Sequence, residues 1–549
     1  MKKKMLALLM AAAMAAGAFT GCGQESVTKE KSSETVKSES IGQAAEETTE
    51  ASNFNKEGYP IVNEEITLNI LIRYRDEDTN MVNPEEMPAI QKLDELTGIK
   101  TEWEVVRASD WSTKLNLILA SGEYPDVIIG TIDDEEYGVE QGILIPLDDL
   151  IQEYMPNYTE RIAMEESDPT HNFPATDGKT YAIGYMSAQN INTQMHHFIN
   201  QTWLDTLDLD MPTDVESLTD VLRAFKTGDP NGNGEADEIA MTTIVSTDGG
   251  QPKFMNYLPM FGIPYNDTMV YIDDNKQVQF APTQDAFREW LEWGHTLYVE
   301  GLMDPDSLSQ DYNTVVTKLA DGNVGLFGEY RLTNMGFDDG ATQDCVIYLP
   351  ENAKYGKMIE TATKRAFVTC DNENVEATMR WFDAILETEM MFSIAYGEQN
   401  DGTDTGNAGW YYDENDKINT FNWPTNDKWY SLDTSCVFFA PGKYYYGIYQ
   451  MAPHRVEKAE YCETLSEHGL LQKYSNNYLD YCKFTSEQKN EIGMKLTDIK
   501  TAVNEYAVKF VQNGVTDEGW NEFVKIFENM DVDAYVQAYQ DGIDAQDIE

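Results

Sequence analysis

Residues 198–240, FINQTWLDTLDLDMPTDVESLTDVLRAFKTGDPNGNGEADEIA, decide how the rest of the chain is read. Thr213 and Glu216 have the T-x-x-E spacing of a capping box, with Pro212 just ahead to stop any earlier helix. Val215, Leu218, Val221, Leu222 and Phe225 then recur at helical spacing, which predicts one buried face. Gly228 stands where such a helix ends. The loop beyond it carries oxygen-bearing side chains at its positions 1, 3, 5 and 9 (Asp229, Asn231, Asn233, Asp237) and Gly234 at position 6, where a calcium loop turns sharply. The backbone carbonyl of Glu235 supplies a further oxygen. Position 12 is Ala240 rather than Glu, so Glu238 has to close the cage. Asn, Gly and Asp also form solvated turns without metal. The alternation of donors with Gly at the sixth place favours a structural calcium ion.

The same stretch resembles the signature of the family 1 extracellular solute-binding proteins, lipoproteins that feed ABC importers, and above all the subgroup that includes the alginate-oligosaccharide-binding proteins. The residues that carry the resemblance are Asn200, Trp203, Leu204, Leu207, Pro212, Thr213, Leu222, Phe225 and the run from Asp229 to Ile239. Further phrases similar to the family follow at 119–128 (LASGEYPDVI), 142–151 (GILIPLDDLI), 177–185 (DGKTYAIGY), 300–308 (EGLMDPDSL) and 318–327 (KLADGNVGLF). The resemblance spans roughly residues 66–540. It implies a two-lobe α/β fold of the periplasmic-binding-protein type II, a hinge with several crossovers, and a structural calcium in the 229–238 loop.

With 549 residues the chain is long enough for two or more globular units, and 41% apolar and 11% aromatic content fit a folded protein. Lys and Arg number 39 against 96 Asp and Glu, a formal charge of −57. So acidic an envelope repels phosphate backbones and argues against nucleic acid as a partner; it keeps a secreted surface soluble and monomeric. Cys22, Cys345, Cys370, Cys436, Cys462 and Cys482 show no metal-ligand spacing, and with Cys22 consumed by lipid the remaining five cannot all pair.

At the amino end, Lys2, Lys3 and Lys4 precede an apolar run too short to span a bilayer comfortably. Residues 19–22 (FTGC) resemble a bacterial lipobox, in which small residues precede a cysteine whose thiol takes diacylglycerol. The expectation is a signal peptide over 1–21 and a lipidated, acylated Cys22 that holds the protein on the outer face of the cell membrane. Residues 22–59 are rich in Ser, Thr, Glu, Lys and Ala and read as a flexible tether.

Folded sequence then runs strand 66–72, helix 88–97 ending at Gly98, strand 99–106, helix 111–121 ending at Gly122, and strand 125–130. This β-α-β-α-β order predicts an α/β lobe with a mostly parallel sheet. Residues 60–185 with about 350–420 are assigned to this first lobe, and 186–349 with about 421–549 to a second lobe that carries the calcium loop. Helices are expected at 287–300, 374–389, from 484 toward 510, and 520–530.

Two lobes joined by crossovers close on a ligand by hinge motion. Sugars are held by aromatic faces and planar polar groups, and the chain has 31 Tyr and 10 Trp. The ligand-binding candidates are Arg73 and Tyr74 at the carboxyl end of the first strand, Trp111, Tyr185, and Trp410, Trp423, Trp429 and Tyr446 in polar loops. The function read from all this is capture of a carbohydrate, a neutral oligosaccharide, for delivery to an ABC permease. A peptide or another nutrient is the alternative cargo. A surface glycoside hydrolase with paired carboxylates is the rival of a different class, but no G-x-S-x-G, H-E-x-x-H or P-loop occurs.

Overall fold

Glycine at two helix ends fixes the start of the first lobe in the computed structural model. α1 (Pro88–Thr97) begins on a proline, whose fixed φ suits a first helical residue, and ends at Gly98 with φ 74°, a conformation that a Cβ disfavours. α2 (Trp111–Ser121) ends in the same way at Gly122, φ 75°. These helices connect β1 (Ile66–Tyr74), β2 (Ile99–Arg107) and β3 (Val127–Ile129), and β1 pairs in parallel with both neighbours. The described residues are 52–76, 81–165, 168–186, 196–245, 253–329, 345–348, 350–351, 353–357, 362–402, 409–420, 447–450, 453–546 and 548. The expected signal peptide, Cys22, most of the tether and Cys436 therefore lie outside them.

After α3 (Asp148–Tyr154) and α4 (Pro156–Ile162), β4 (Ile183–Met186) joins this sheet. It does so through β11 (Ala362–Val368), giving the order β2-β1-β3-β11-β4 with β11 antiparallel to both its neighbours. The expected helix over 374–389 is two helices, α9 (Val375–Ile385) and α10 (Thr388–Tyr396), with the break at Leu386 and Glu387. The turn bends the chain so that Trp381 and Phe382 on one helix and Met391 and Phe392 on the other are all buried in the first core. Asp383 of α9 accepts from the backbone N–H groups of Asn157 and Tyr158 at the start of α4 (3.3 and 3.1 Å), a long-range helix cap.

The outer edge of β2 is finished by carboxylates. The Thr101 N–H donates to Asp94 of α1 (3.0 Å), and the Trp103 N–H donates to Glu85 (3.0 Å). Side chains thus take the donors that an edge strand leaves open.

A second sheet, ordered β10-β5-β9-β6, is built from β5 (His196–Asn200), β6 (Ile239–Met241), β9 (Val324–Glu329) and β10 (Cys345–Ile347). β6 and β9 are parallel, while β5 runs antiparallel to β9 and β10. α5 (Gln201–Thr206), α6 (Val215–Thr227), α7 (Asp285–Val299) and α8 (Tyr312–Ala320) belong to this half, with the carboxyl-terminal helices Ser486–Asn513, Asp517–Asn529 and Val532–Asp544. Its core is separate from the first and aromatic: Phe254 stacks on Trp290 at 4.6 Å, and Trp203 meets Phe225 edge-on at 5.3 Å. Two short hairpins, β7 (Val270–Ile272) with β8 (Val278–Phe280) and β12 (Trp410–Tyr412) with β13 (Ile418–Thr420), decorate the lobes. Two sheets with two cores give the two-lobe α/β architecture.

The amphipathic helix read from the decisive stretch is α6, but its cap differs. Asp214, not Thr213, is the N-cap; it accepts from the Ser217 N–H (2.7 Å), and the Ser217 hydroxyl meets the Asp214 N–H in return (3.1 Å). Three-residue spacing alone fits both pairs. Extended φ/ψ at Asp214 (−146°, 179°) places the boundary one residue later.

Candidate functional site: the facing ends of two sheets and an oxygen-rich loop at the far end

Topology says where a ligand would sit. β4 runs into β5, and β10 into β11, so each crossing leaves the carboxyl end of a strand in one sheet and enters the amino end of a strand in the other. In the first sheet, β11's amino end lies beside the carboxyl ends of β3 and β4, since Ala366 pairs with Ile129 and Ala362 with Met186. In the second, β5's amino end lies beside the carboxyl end of β9, since His196 pairs with Glu329. The crossings therefore join the two sheets through the ends at which open α/β sheets bind ligands.

On the first lobe this end carries Arg73, Trp111 and the acidic run Asp133, Asp134, Glu135. Gly130 lets Trp111 and Arg73 close over the end of β3: a Cβ there would lie 2.5 Å from the Trp111 ring and 3.1 Å from the Arg73 Cβ. The Trp111 indole N–H donates to the Thr131 carbonyl (2.7 Å). Asp76 accepts from the Ser109 N–H and hydroxyl (3.1 and 2.9 Å), which hold its carboxyl below the usual range, with help from Arg73 and Arg107. Asp134 is ion-paired with Lys364 of β11.

The second lobe offers His196, Lys253, Tyr312 and Glu329. Lys253 lies 3.8 Å from the buried Glu329 carboxylate and 5.3 Å over the Tyr312 ring, and burial pulls its ammonium pKa down. His196 packs on Tyr461 at 4.3 Å. Behind it, His197 stacks on Tyr257 at 4.1 Å, and burial lowers its imidazole to about 3, so it stays neutral. These residues were not singled out from the sequence. The available signal was Glu329, a charge ending the apolar run VGLFGE at its carboxyl end.

The lobes touch at this level. Lys489 donates to Asp133 (2.6 Å) and His171 meets Tyr481 edge-on at 4.4 Å. A cavity of about 370 Å³ lies between Asp134, Glu135, Thr176 and Lys364 on one side and Asp480, Tyr481 and Lys489 on the other. A larger groove of about 780 Å³ runs along the β2 edge, past Glu102, Glu104 and Tyr124.

Of the sequence candidates, Arg73 and Trp111 come together at the facing end, and the backbone of Tyr185 sits there in β4, paired with Thr363. Trp111, 4% exposed, is packed in the first core, as are Tyr74 and Trp410; Tyr74 donates to the Val82 carbonyl (3.2 Å) and Trp410 to the Ser393 hydroxyl (3.2 Å). Trp423, Trp429 and Tyr446 lie outside the described residues.

The 229–238 loop sits elsewhere. It enters β6 at its amino end, and Asn323, which accepts from the Ile239 N–H (2.9 Å), precedes β9. The loop is thus a strand's length, about 17 Å, from Glu329. Asp229 adopts φ 48°, Gly232 69° and Gly234 78°, so the chain turns tightly. The Asp229 carboxylate accepts from the N–H groups of Asn233 and Gly234 (both 3.1 Å). Asp237 accepts the side-chain amides of Asn231 (3.0 Å) and Asn233 (3.1 Å), which hold its carboxyl below the usual range. Glu238 is 3% exposed, and one of its carboxylate oxygens has no hydrogen-bond partner. An all-oxygen donor set around a turn, with a buried carboxylate oxygen left unsatisfied, fits calcium. Asp229, Asn231, Asn233, Asp237 and Glu238 would hold the ion, with the Glu235 carbonyl, and its charge would cross-link the loop. No group of three or more His, Cys, Asp or Glu side chains closes to metal-binding geometry among the described residues.

The chain belongs to the bacterial extracellular solute-binding proteins, which match residues 81–391. It is 31% identical over 315 residues to the fructooligosaccharide ABC transporter substrate-binding protein FusA of Streptococcus pneumoniae serotype 4, covering 55% of this chain and 58% of that protein, so the match spans somewhat over half its length. Lipoprotein LipO of Bacillus subtilis is 28% identical over 254 residues, 44% of this chain and 46% of the relative. Among solved structures, FusA with kestose superposes with a TM-score of 0.68 at 23% identity, over 87% of this chain and 99% of that one. An EF-hand mutant of FusA with fructo-nystose gives 0.67 at 23% identity, with the same coverage. An extracellular solute-binding protein of Bifidobacterium longum subsp. infantis gives 0.76 at 19% identity, over 87% and 98%. The fold is shared with these three structures. No helix of the described residues is long and apolar enough to cross a membrane.

Proposed function

We propose that this protein captures a neutral oligosaccharide between its lobes and passes it unchanged to an ABC permease. The observation that carries the reading is the pair of crossings that turn the ligand-binding ends of both sheets toward each other. FusA's description as a fructooligosaccharide-binding component makes short fructans such as kestose the first cargo to try. In this reading Arg73, Trp111 and Tyr185 receive the sugar from the first lobe, with Trp423, Trp429 and Tyr446 adding aromatic faces. Lys253, Tyr312 and Glu329 receive it from the second: ring faces pack on C–H surfaces, and the charged pair fixes hydroxyls. The net charge of −57 disfavours polyanionic glycans. Cys22 bears the lipid that holds the protein at the outer face of the membrane, and the molecule acts as a monomer. Calcium in the 229–238 loop braces the second lobe and takes no part in sugar contact, being at the other end of β9.

A thermal-shift panel of neutral and acidic oligosaccharides, followed by chromatography of the sugars, tests the reading. The expected outcome is a raised Tm with intact sugar; ligand at about 100 times its Kd adds about 2.7 kcal/mol of stability. Shortened sugar would point to a hydrolase, and a shift with peptides alone to a different cargo.

A further inference from the structure

The calcium loop does not close on itself. Asn323, on the turn between α8 and β9, donates its side-chain amide to one carboxylate oxygen of Asp237 (3.1 Å) and accepts from the side-chain amide of Asn231 (3.3 Å). Asp237 is thereby surrounded by amide donors from Asn231 and Asn233 within the loop and Asn323 outside it.

A cation changes what these amides can do. The N–H₂ groups of Asn231 and Asn233 donate to Asp237 while their oxygens accept from the N–H groups of Asn233 and Glu235, so for both side chains to give oxygen to an ion these bonds have to rearrange. Asp237 then loses its donors from within the loop. Asn323 stands outside the 229–238 loop, so it keeps its bond to Asp237 while the bond it accepts from Asn231 is given up; the oxygen it holds also accepts from Asn233 (3.2 Å).

We propose that Asn323 is a positioning residue of the calcium site: it keeps one oxygen of Asp237 engaged so that the other faces the ion, and it ties ion occupancy to the turn that starts β9. This rests on the calcium reading of the loop. Outer partners of metal ligands of this kind are worth about 10–100-fold in metal affinity.

Calcium titrations of the whole soluble chain by calorimetry, with Tm measured in calcium and in chelator, compare wild type with Asn323→Ala and Asn323→Asp. Asn323→Asp keeps the shape but removes the donor and sets a carboxylate against Asp237. Both variants should bind calcium about 10–100-fold more weakly, with the Tm lowered more in calcium than in chelator. Ile239 donates to the backbone of residue 323, so that contact survives both changes. Wild-type calcium affinity in both variants overturns the role of Asn323 alone. Tighter binding by Asn323→Asp overturns it too, since it would make residue 323 a direct ligand. A wild-type chain whose Tm ignores calcium overturns the ion itself.

Discussion

Asp94 shows how one carboxyl can serve the fold at a cost in charge. Burial raises its pKa to about 6, and the two bonds from Thr101, which pull the other way, offset only part of that. An unfolded Asp titrates near about 3.9, so between those values the folded chain holds a proton that the unfolded chain has released, and folding gains on the acid side. Ionised Asp94 therefore costs stability above pH 6, and that cost disappears as pH falls toward 4. Asp94→Asn keeps an acceptor for the Thr101 N–H without a charge to bury. Wild type should lose stability relative to this variant as pH rises from about 4 to about 6, with a constant difference above that window. Urea midpoints of both proteins at stepped pH measure it; parallel curves across the window would show that Asp94 titrates normally.

At the scale of elements, α6 carries a sharp contrast. Loss of an N-cap acceptor costs about 0.5–2 kcal/mol, so Asp214→Ala should destabilise by about 1 kcal/mol and Thr213→Ala by only a few tenths. Equal effects would restore the cap to Thr213. The comparison also marks what could be read without coordinates. α1 and α2 were legible to their last residues because Pro88, Gly98 and Gly122 act locally, through their own φ angles. The 213/214 choice was not, since T-x-x-E and D-x-x-S spacing are equivalent until the backbone picks one. The break between α9 and α10 was missed because no Gly or Pro marks it. Arg73 was reachable by the rule of strand carboxyl ends and Trp111 as the start of a helix after a polar loop, whereas Lys253, Glu329 and Asn323 depend on which strands pair. Pairings such as His196 with Glu329 span well over a hundred residues.

At the scale of the whole molecule, a single ion pair described between the lobes can be tested by itself. Lys489–Asp133 is half-exposed, and such pairs are worth about 0–1 kcal/mol. Lys489→Ala should let the lobes spread. Small-angle scattering should show a larger radius of gyration without sugar, and the sugar Kd should weaken by no more than about fivefold. An unchanged radius and Kd would mean the contact carries none of the closure.

β9 has its own consequence. One end meets the loop that would hold calcium, the other the place proposed for sugar, and the strand between them is buried throughout. Under the proposed function, with the two sites a strand's length apart, sugar loading and unloading would leave a bound ion in place. Removing the ion would then be felt as a loss of folded protein rather than as a weaker grip on sugar.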